Sequence, residues 1–397
     1  MNKTFLSLGN QPLANDFKSK KVKTFYKLNL KFNNQNKLVS INKRVKKEIM
    51  FNRTYPYRSS LSISVKEHFI TLSKLIKKNY SHKNILEIGS NDGTFARNFN
   101  KSQITCIEPC HGVGNELKKK GFNVYIRYFN DELIRLFSKN LKSFDLIFSA
   151  NTITHIDKIE KVLNNIKKVL SRDGVFILEE PSFLECYKKN SFDQFYNEHI
   201  YVLSAISLTN ILKKVGLKIF KLENINIHGG SLRYYITHDK NYKFKISKSL
   251  ERQIKVELEI GLDKFATYKK FAKNVLNLKS KLIKIFKEIK SKKGKIIGYG
   301  ASAKAVTVVN YCNLKENFFD YFIDITKSKI GKYLPGTKIS VKKYNKSRLD
   351  IKAYYFLGAW NFKDEIFIKE KNFLEKGGKF ILHLPRPHFY KKHKIKG

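Results

Sequence analysis

Cysteine is scarce in this sequence. Only Cys106, Cys110, Cys186 and Cys312 occur in 397 residues, and no pair is spaced Cys-x-x-Cys. Cys106 and Cys110 flank Glu108, but no second ligand pair follows them. A zinc ribbon and a disulfide framework are both excluded, and a reducing cytoplasm is the expected location. Long apolar runs are missing too. Nothing reaches the ~18 residues a membrane helix needs, so no span is expected. The opening residues, "MNKTFLSLGNQPLANDF", contain no continuous apolar stretch, so no signal peptide is expected either. Acidic residues are few: 33 Asp and Glu against 79 Lys and Arg, a formal charge of +46. Such a balance raises nucleic-acid binding. The lysines, however, are spread along the whole chain and far outnumber the arginines, and Asn and Ile are abundant throughout. That is compositional drift. A phosphate reader would cluster Arg with aromatics on one face. No nucleic-acid partner is expected, while an anionic small substrate suits the charge. No short internal repeat is visible, which excludes a solenoid.

What is present is ample core material: 42% hydrophobic residues and 31 Phe. The length exceeds one hydrophobic core and predicts two or three domains. Residues 1–60 are polar, basic and weakly periodic. A helix should follow, capped by Ser62 or Ser64, with Val65, Phe69, Leu72 and Leu75 on its buried face. Five apolar strands are then predicted: "NILEIG" (84–89), "ITCIEP" (104–109), "NVYIRYF" (123–129), "FDLIFSA" (144–150) and "GVFILEEP" (174–181), the last after a turn at "SRDG". "IDKIEKVLNNIKKVL" (156–170) is an amphipathic helix. Strands alternating with helices predict a doubly wound parallel sheet. Residues 217–238 read as an antiparallel pair closing it. Residues 245–290 read as one or two helices packing between domains through Leu258, Leu262, Phe265 and Phe271, without the sustained heptads of a coiled coil. The α/β pattern restarts at "GKIIGYGASAKAVTVVNYC" and runs to about 385. The expected division is a short N-terminal segment (1–60), a Rossmann-like domain (61–240), and a smaller Rossmann-like domain (241–397) with its helical linker.

"LEIGSNDGTFARNF" places Gly89 and Gly93 between a strand and a helix, where glycine permits close backbone approach. Glu108 ends the next strand, where a carboxylate can accept both hydroxyls of a ribose. The spacing is not G-x-G-x-x-G, because Asn91 and Asp92 fill the middle, and a pyrophosphate would meet Asp92. A cofactor with a ribose, an amine and a sulfonium but no phosphate fits better: S-adenosylmethionine. Here the sequence resembles a class I methyltransferase. "FDLIFSANTITHI" and "GVFILEEPSF" stand at that family's fourth and fifth strands, which implies that Asn151 lies at a strand tip near the methyl group. Glu87 joins Gly89, Asn91, Asp92, Gly93 and Glu108 as an expected cofactor contact.

Four more segments narrow the resemblance: "YPYRSS" (55–60), "SFDQFYNEHIYVLS" (191–204), "HGGSLRYY" (228–235), and "GYGASAKAVTVVNYC" with "GKYLPGTKI" (331–339) behind it. In this order, from about residue 7 to about 390, they resemble the sugar C-methyltransferases, which act on nucleotide-linked keto-deoxysugars. That family usually begins with a zinc-binding domain carrying two Cys-x-x-Cys pairs. Here "LGNQPLANDF" (8–17) matches the segment between the pairs. The chain starts too late for the first pair, and "LKFNNQNKLVS" stands where the second should be. No metal is expected.

Methylating carbon requires removal of a proton next to a ketone and stabilisation of the enolate oxygen. "FYNEH" offers the groups for this. His199 is the expected base, because its ordinary pKa lies near neutrality. Glu198 is expected as its partner or as a holder of sugar hydroxyls, and Tyr196 as a donor near the ketone. The resemblance assigns this trio to the active site, adds His155 as a second histidine, and makes Tyr57 or Tyr55 part of a lid. Phe192 and Phe195 read as core, and Asp193 as a helix cap. In "HGGSLRYY", His228 and Gly229 line the sugar pocket with Arg233 near an anion, or the glycines form a turn and Arg233 pairs structurally. In the second glycine loop, Ser302 and Lys304 at a helix N-terminus hold the diphosphate of a nucleotide sugar, or the turn is structural. Only Asp320 or Asp324 stands where a ribose carboxylate belongs. The expected activity is a cytoplasmic S-adenosylmethionine-dependent C-methyltransferase on a dTDP-linked 4-keto-deoxysugar, working as a monomer or weak dimer. Methylation of nucleic acid, methylation of another anionic small molecule, and non-catalytic sugar-nucleotide binding are the alternatives. An N-P-P-Y-type tetrapeptide, used for amino methylation, is absent.

Overall fold

The computed structural model describes residues 2–391, apart from 23, 43, 44, 54 and 141. In chain order the strands are Asn2–Gln11 (β1), Tyr26–Asn33 (β2), Val39–Ile41 (β3), Ile85–Ile88 (β4), Ile104–Ile107 (β5), Asn123–Tyr125 (β6), Phe144–Ala150 (β7) and Leu170–Pro181 (β8). Tyr201–Val202 (β9), Leu217–Ile225 (β10), Ser231–His238 (β11), Ile296–Tyr299 (β12), Tyr321–Asp324 (β13), Val341–Lys343 (β14), Tyr354–Leu357 (β15), Lys379–Leu382 (β16) and His388–Tyr390 (β17) complete them. They form three sheets, ordered β1-β2-β3-β9, β10-β11-β8-β7-β4-β5-β6 and β14-β13-β12-β15-β16-β17. The middle sheet is parallel from β8 to β6 and antiparallel at β11 and β10. The third is parallel except for β17. This is the expected α/β architecture: a Rossmann-like methyltransferase fold followed by a second, smaller Rossmann-like sheet.

The continuous apolar runs of β4, β5 and β8 are buried on both faces, as parallel strands covered by helices must be. The helix Ile63–Asn79 is capped by Ser62, whose Oγ accepts from the Val65 N–H, and Ser64 bonds Ser62 instead of capping. Three expectations shift. The third strand stops at Tyr125, because it is an edge strand whose only partner, β5, ends opposite it at Ile107. "SRDG" is a bulge inside β8: Leu170 pairs with Phe144 and Val175 with Leu146, and Arg172 and Asp173 stand out into solvent. Leu258 is exposed, because its helix (Lys248–Ile260) ends at Gly261, so Leu258 and Leu262 share no helical face. Leu262 and Phe271 are buried in one core that joins the N-terminal sheet, the helix Phe265–Ser291 and the C-terminal sheet.

The N-terminal segment folds without thiolates. Leu28, Leu30 and Phe32 alternate inward along β2 and are fully buried, and Phe32 stacks on Tyr268 at 4.2 Å. β9 comes from the middle of the chain. Val39 and Ser40 pair with Val202 and Tyr201, and the Ile41 N–H donates to the Ile200 carbonyl at 3.0 Å. The first forty residues therefore grip the backbone immediately after His199. Among the described residues, no helix is long and apolar enough to cross a membrane, and no group of three His, Cys, Asp or Glu side chains is placed to hold a metal.

Candidate active site

Two cavities meet near the C-terminal edge of the middle sheet. The first, of about 560 Å³, lies over the β4 turn; the second, of about 290 Å³, lies between that domain and the C-terminal sheet. Tyr55, Tyr57, Asn151, His155 and His228 line both, so they form the boundary across which a group would pass.

In the first cavity Gly89 turns at φ +80°, and a Cβ there would strike the Thr152 side chain. Glu108 is buried; its carboxylate accepts the Asn91 N–H at 2.8 Å and the Cys110 N–H at 2.8 Å. Burial raises its pKa. Glu87 is raised well above the carboxylate range by burial and by the charges of Glu108 and Asp92, and its Oε2 lacks a hydrogen-bond partner among the described residues. Two carboxyl groups crowded against a nucleoside-sized cavity suit a cation that also carries hydroxyls. S-adenosylmethionine has a ribose diol, an ammonium and a sulfonium, and these residues fit it. Asn91, at φ 49°, reaches back to the lid: its Oδ1 accepts from Ser59 N at 3.0 Å and its Nδ2 donates to the Tyr57 carbonyl at 3.2 Å. Asp92 and Gly93 do not line the cavity. The Asp92 carboxylate is taken up by Thr94 Oγ1 (2.6 Å) and Ser60 N (3.2 Å), and Gly93 turns against Leu117. Residues 45–51 close the cavity instead, with Met50 and Phe51 among its walls. Their segment is too short, with its apolar residues bunched at 49–51, to show a period.

The second cavity gathers Tyr196, His199, His228, Ser302 and Lys304. A turn, closed by His199 N–H to the Tyr196 carbonyl at 2.9 Å, folds the motif back on itself. Tyr196 Oη and His199 Nε2 lie 2.5 Å apart. The same turn sends Glu198 away. Its carboxylate accepts from Asn15 Nδ2 (2.9 and 2.8 Å) and Tyr55 Oη (3.1 Å), so it does not partner His199. It ties the N-terminal segment to the lid. His155 stacks between Phe51 (5.6 Å) and His199 (4.9 Å), and its Nε2 is buried with no partner among the described residues. Burial lowers His155 to about 4, and burial with the nearby His155 and Lys304 charges holds His199 well below its ordinary value. Both rings are neutral at physiological pH, and each is a weaker base than a free imidazole.

Glu198 is pushed up to about 7 by burial, against the bonds from Asn15 and Tyr55. A raised carboxyl pKa favours folding below the ordinary value of 4.5, and that contribution is lost as pH rises through about 7. Glu198→Gln should therefore gain stability relative to the wild type between those limits, by at most about 3 kcal/mol. Urea denaturation of both proteins at pH ~5 and pH ~8 checks it. A difference that does not change with pH contradicts it.

Other expected residues lie elsewhere. Arg233 is outside both cavities: Nε bonds Glu179 Oε1 at 2.5 Å, one Nη bonds Glu223 at 2.9 Å, and His68 completes the cluster. Gly229 packs against the Trp360 ring, outside the cavity that His228 lines. Asp193 caps no helix; it accepts from Trp360 Nε1 (2.5 Å) and His383 Nε2 (3.1 Å), joining the motif to the C-terminal sheet. Ser302 caps its helix, accepting from Ala305 N at 3.1 Å, and Lys304 lines the cavity although burial lowers its pKa. Asp320 sits at the base of its strand, bonded to Ile296 N. Asp324, at the strand's end, repeats the Glu108 arrangement: it accepts the Ala301 and Thr326 N–H groups, both at 2.8 Å.

Residues 67–222 match the family model described as "Methyltransferase domain", and residues 226–385 the one described as "C-methyltransferase C-terminal domain". C-methyltransferase NovU of Streptomyces niveus is 25% identical over 355 residues, covering 88% of this chain and 84% of that protein. Among solved structures, magnesium protoporphyrin IX methyltransferase of Synechocystis PCC 6803 with bound SAH is 12% identical, covers 44% of this chain and 83% of its own, and has a TM-score of 0.34. A possible histamine N-methyltransferase of Thermotoga maritima is 20% identical over 44% of this chain and 92% of its own, also at a TM-score of 0.34.

Proposed function

The chain belongs to the S-adenosylmethionine-dependent methyltransferases that carry the C-methyltransferase C-terminal domain, and on that premise we propose that it methylates carbon, next to the ketone of a nucleotide-linked 4-keto-deoxysugar. The observation that carries the proposal is the Tyr196–His199 pair facing a cavity that opens onto the cofactor site through Asn151 and His155. Transfer to oxygen or nitrogen needs no carbon acid. Carbon methylation needs a general base beside the acidic C–H, and a neutral histidine hydrogen-bonded to a buried tyrosine supplies one.

When bound, S-adenosylmethionine supplies an electrophilic methyl group. Glu108 and Glu87 would hold its polar ends, and Asn151 stands at the boundary. His199 Nε2 faces Tyr196 Oη. The pair accepts the proton lost from carbon: Tyr196 oxygen receives it while its own proton passes to His199 Nε2. Burial keeps Tyr196 far from ionising alone, so the two transfers are coupled. The unpaired His155 Nε2 and Lys304 border the space for the sugar ring and its ketone. At the far end, Asp324 and the helix N-terminus at Ser302 suit a nucleoside and its diphosphate. Lys304→Met should raise the KM for the nucleotide sugar by roughly tenfold, the worth of one charge-assisted hydrogen bond. An unchanged KM would remove Lys304 from the substrate site.

The test of function is incubation with methyl-labelled S-adenosylmethionine and a panel of nucleotide-linked keto-deoxysugars, including dTDP- and UDP-linked members. Label in no sugar, from protein that binds S-adenosylhomocysteine, overturns the proposal.

A further inference from the structure

The end of β8 reads Leu-Glu-Glu-Pro, two acidic residues in a buried strand. Alternation in a strand sends them to opposite faces. Glu179 goes to the Arg233 and His68 cluster. Glu180 goes the other way and is fully buried, with no cationic partner among the described ion pairs. An isolated buried carboxyl is costly unless hydrogen bonds satisfy it. All of its bonds go to one five-residue turn. Glu180 Oε1 accepts from Thr152 N and Thr154 N, both at 3.1 Å, and Oε2 accepts from Thr154 Oγ1 at 2.7 Å.

That turn carries the two residues that matter at the boundary. Asn151 opens it in a left-handed conformation (φ 51°), one that asparagine adopts more readily than other non-glycine residues. His155 closes it with a ring stacked on His199. Thr152 between them fills the space above Gly89. One side chain thus fixes a turn that touches the cofactor loop, the boundary and the base.

We propose that Glu180 is a positioning residue which clamps the Asn151–His155 turn and so sets the register between the cofactor cavity and the Tyr196–His199 pair. It lines neither cavity, and its effect passes through Asn151 and His155. The turnover part of this proposal rests on the function proposed above; the cofactor part does not.

The bonding pattern makes a specific demand. Gln keeps the two N–H bonds through its carbonyl, and its amide can donate to Thr154 Oγ1. Ala keeps none. Glu180→Ala should weaken S-adenosylhomocysteine binding by roughly tenfold in calorimetry, and lower kcat by roughly 10²-fold with little change in the KM of the nucleotide sugar, the scale of a small misplacement of reacting groups. Glu180→Gln should restore both to within roughly threefold of the wild type. Wild-type affinity and kcat in the Ala variant overturn the proposal, and so does a Gln variant no better than Ala. Should the Ala variant fail to fold, Thr154→Val decides: it deletes one bond and keeps the shape, and an unchanged S-adenosylhomocysteine affinity overturns the clamp. If the wild type methylates no sugar, the functional reading fails, while the calorimetry still decides the clamp.

Discussion

His199→Asn will abolish most methyl transfer, by roughly 10³-fold in kcat, while S-adenosylhomocysteine binding stays within about twofold. The separation follows from placement. His199 lines only the second cavity, and the cofactor cavity is built from Glu87, Gly89, Glu108 and the turn at Asn151. Asn can still hydrogen-bond Tyr196 but cannot take a proton. Tyr196→Phe should fall by a similar factor, because the pair accepts the proton together. The double variant should be little worse than either single one, since residues acting as a unit are not additive. Turnover with labelled cofactor and calorimetry check this. Additive losses, or a His199→Asn variant that turns over normally, would separate the two residues and remove the base from this position.

Glu108→Ala should weaken S-adenosylhomocysteine binding by roughly 10²-fold, the upper range for hydrogen bonds to a charged group. The carboxylate does two things at once: it closes the Gly89–Asn91 turn through the Asn91 N–H, and it offers its lone pairs to the cavity. Glu108→Gln should lose less, because its carbonyl can keep one backbone bond. Calorimetry on both variants, with a thermal melt to exclude unfolding, checks the order. Equal affinity in all three proteins would place the nucleoside elsewhere.

The parallel sheets were legible because each strand is a short apolar run bounded by turn residues, and the glycines marked where the chain turns. Glu108 was legible from its distance beyond Gly89. Other features were not, for reasons that are physical. The N-terminal sheet depends on a strand supplied by Tyr201–Val202, which pairs with Val39 and Ser40 from a distant part of the chain, and no local period encodes that. The "FYNEH" cluster was visible as chemistry, but Glu198 was expected to partner His199 or to hold sugar hydroxyls. The turn from 196 to 199 pairs Tyr196 with His199 instead and gives Glu198 to Asn15 and Tyr55. Arg233 was open in sequence, because its partners Glu179 and Glu223 come from different strands. Asp324 carried too little signal alone; its likeness to Glu108 appears only when both carboxylates are seen closing their glycine turns.

The central claim is that carbon receives the methyl group. The direct measurement supplies a carbon-13 methyl label on S-adenosylmethionine and a dTDP-linked 4-keto-6-deoxyhexose, then reads the product by NMR. The proposed mechanism predicts label on the ring carbon beside the ketone, formed by the wild type and lost in His199→Asn. Label on oxygen or nitrogen, or undiminished labelling by His199→Asn, would contradict it.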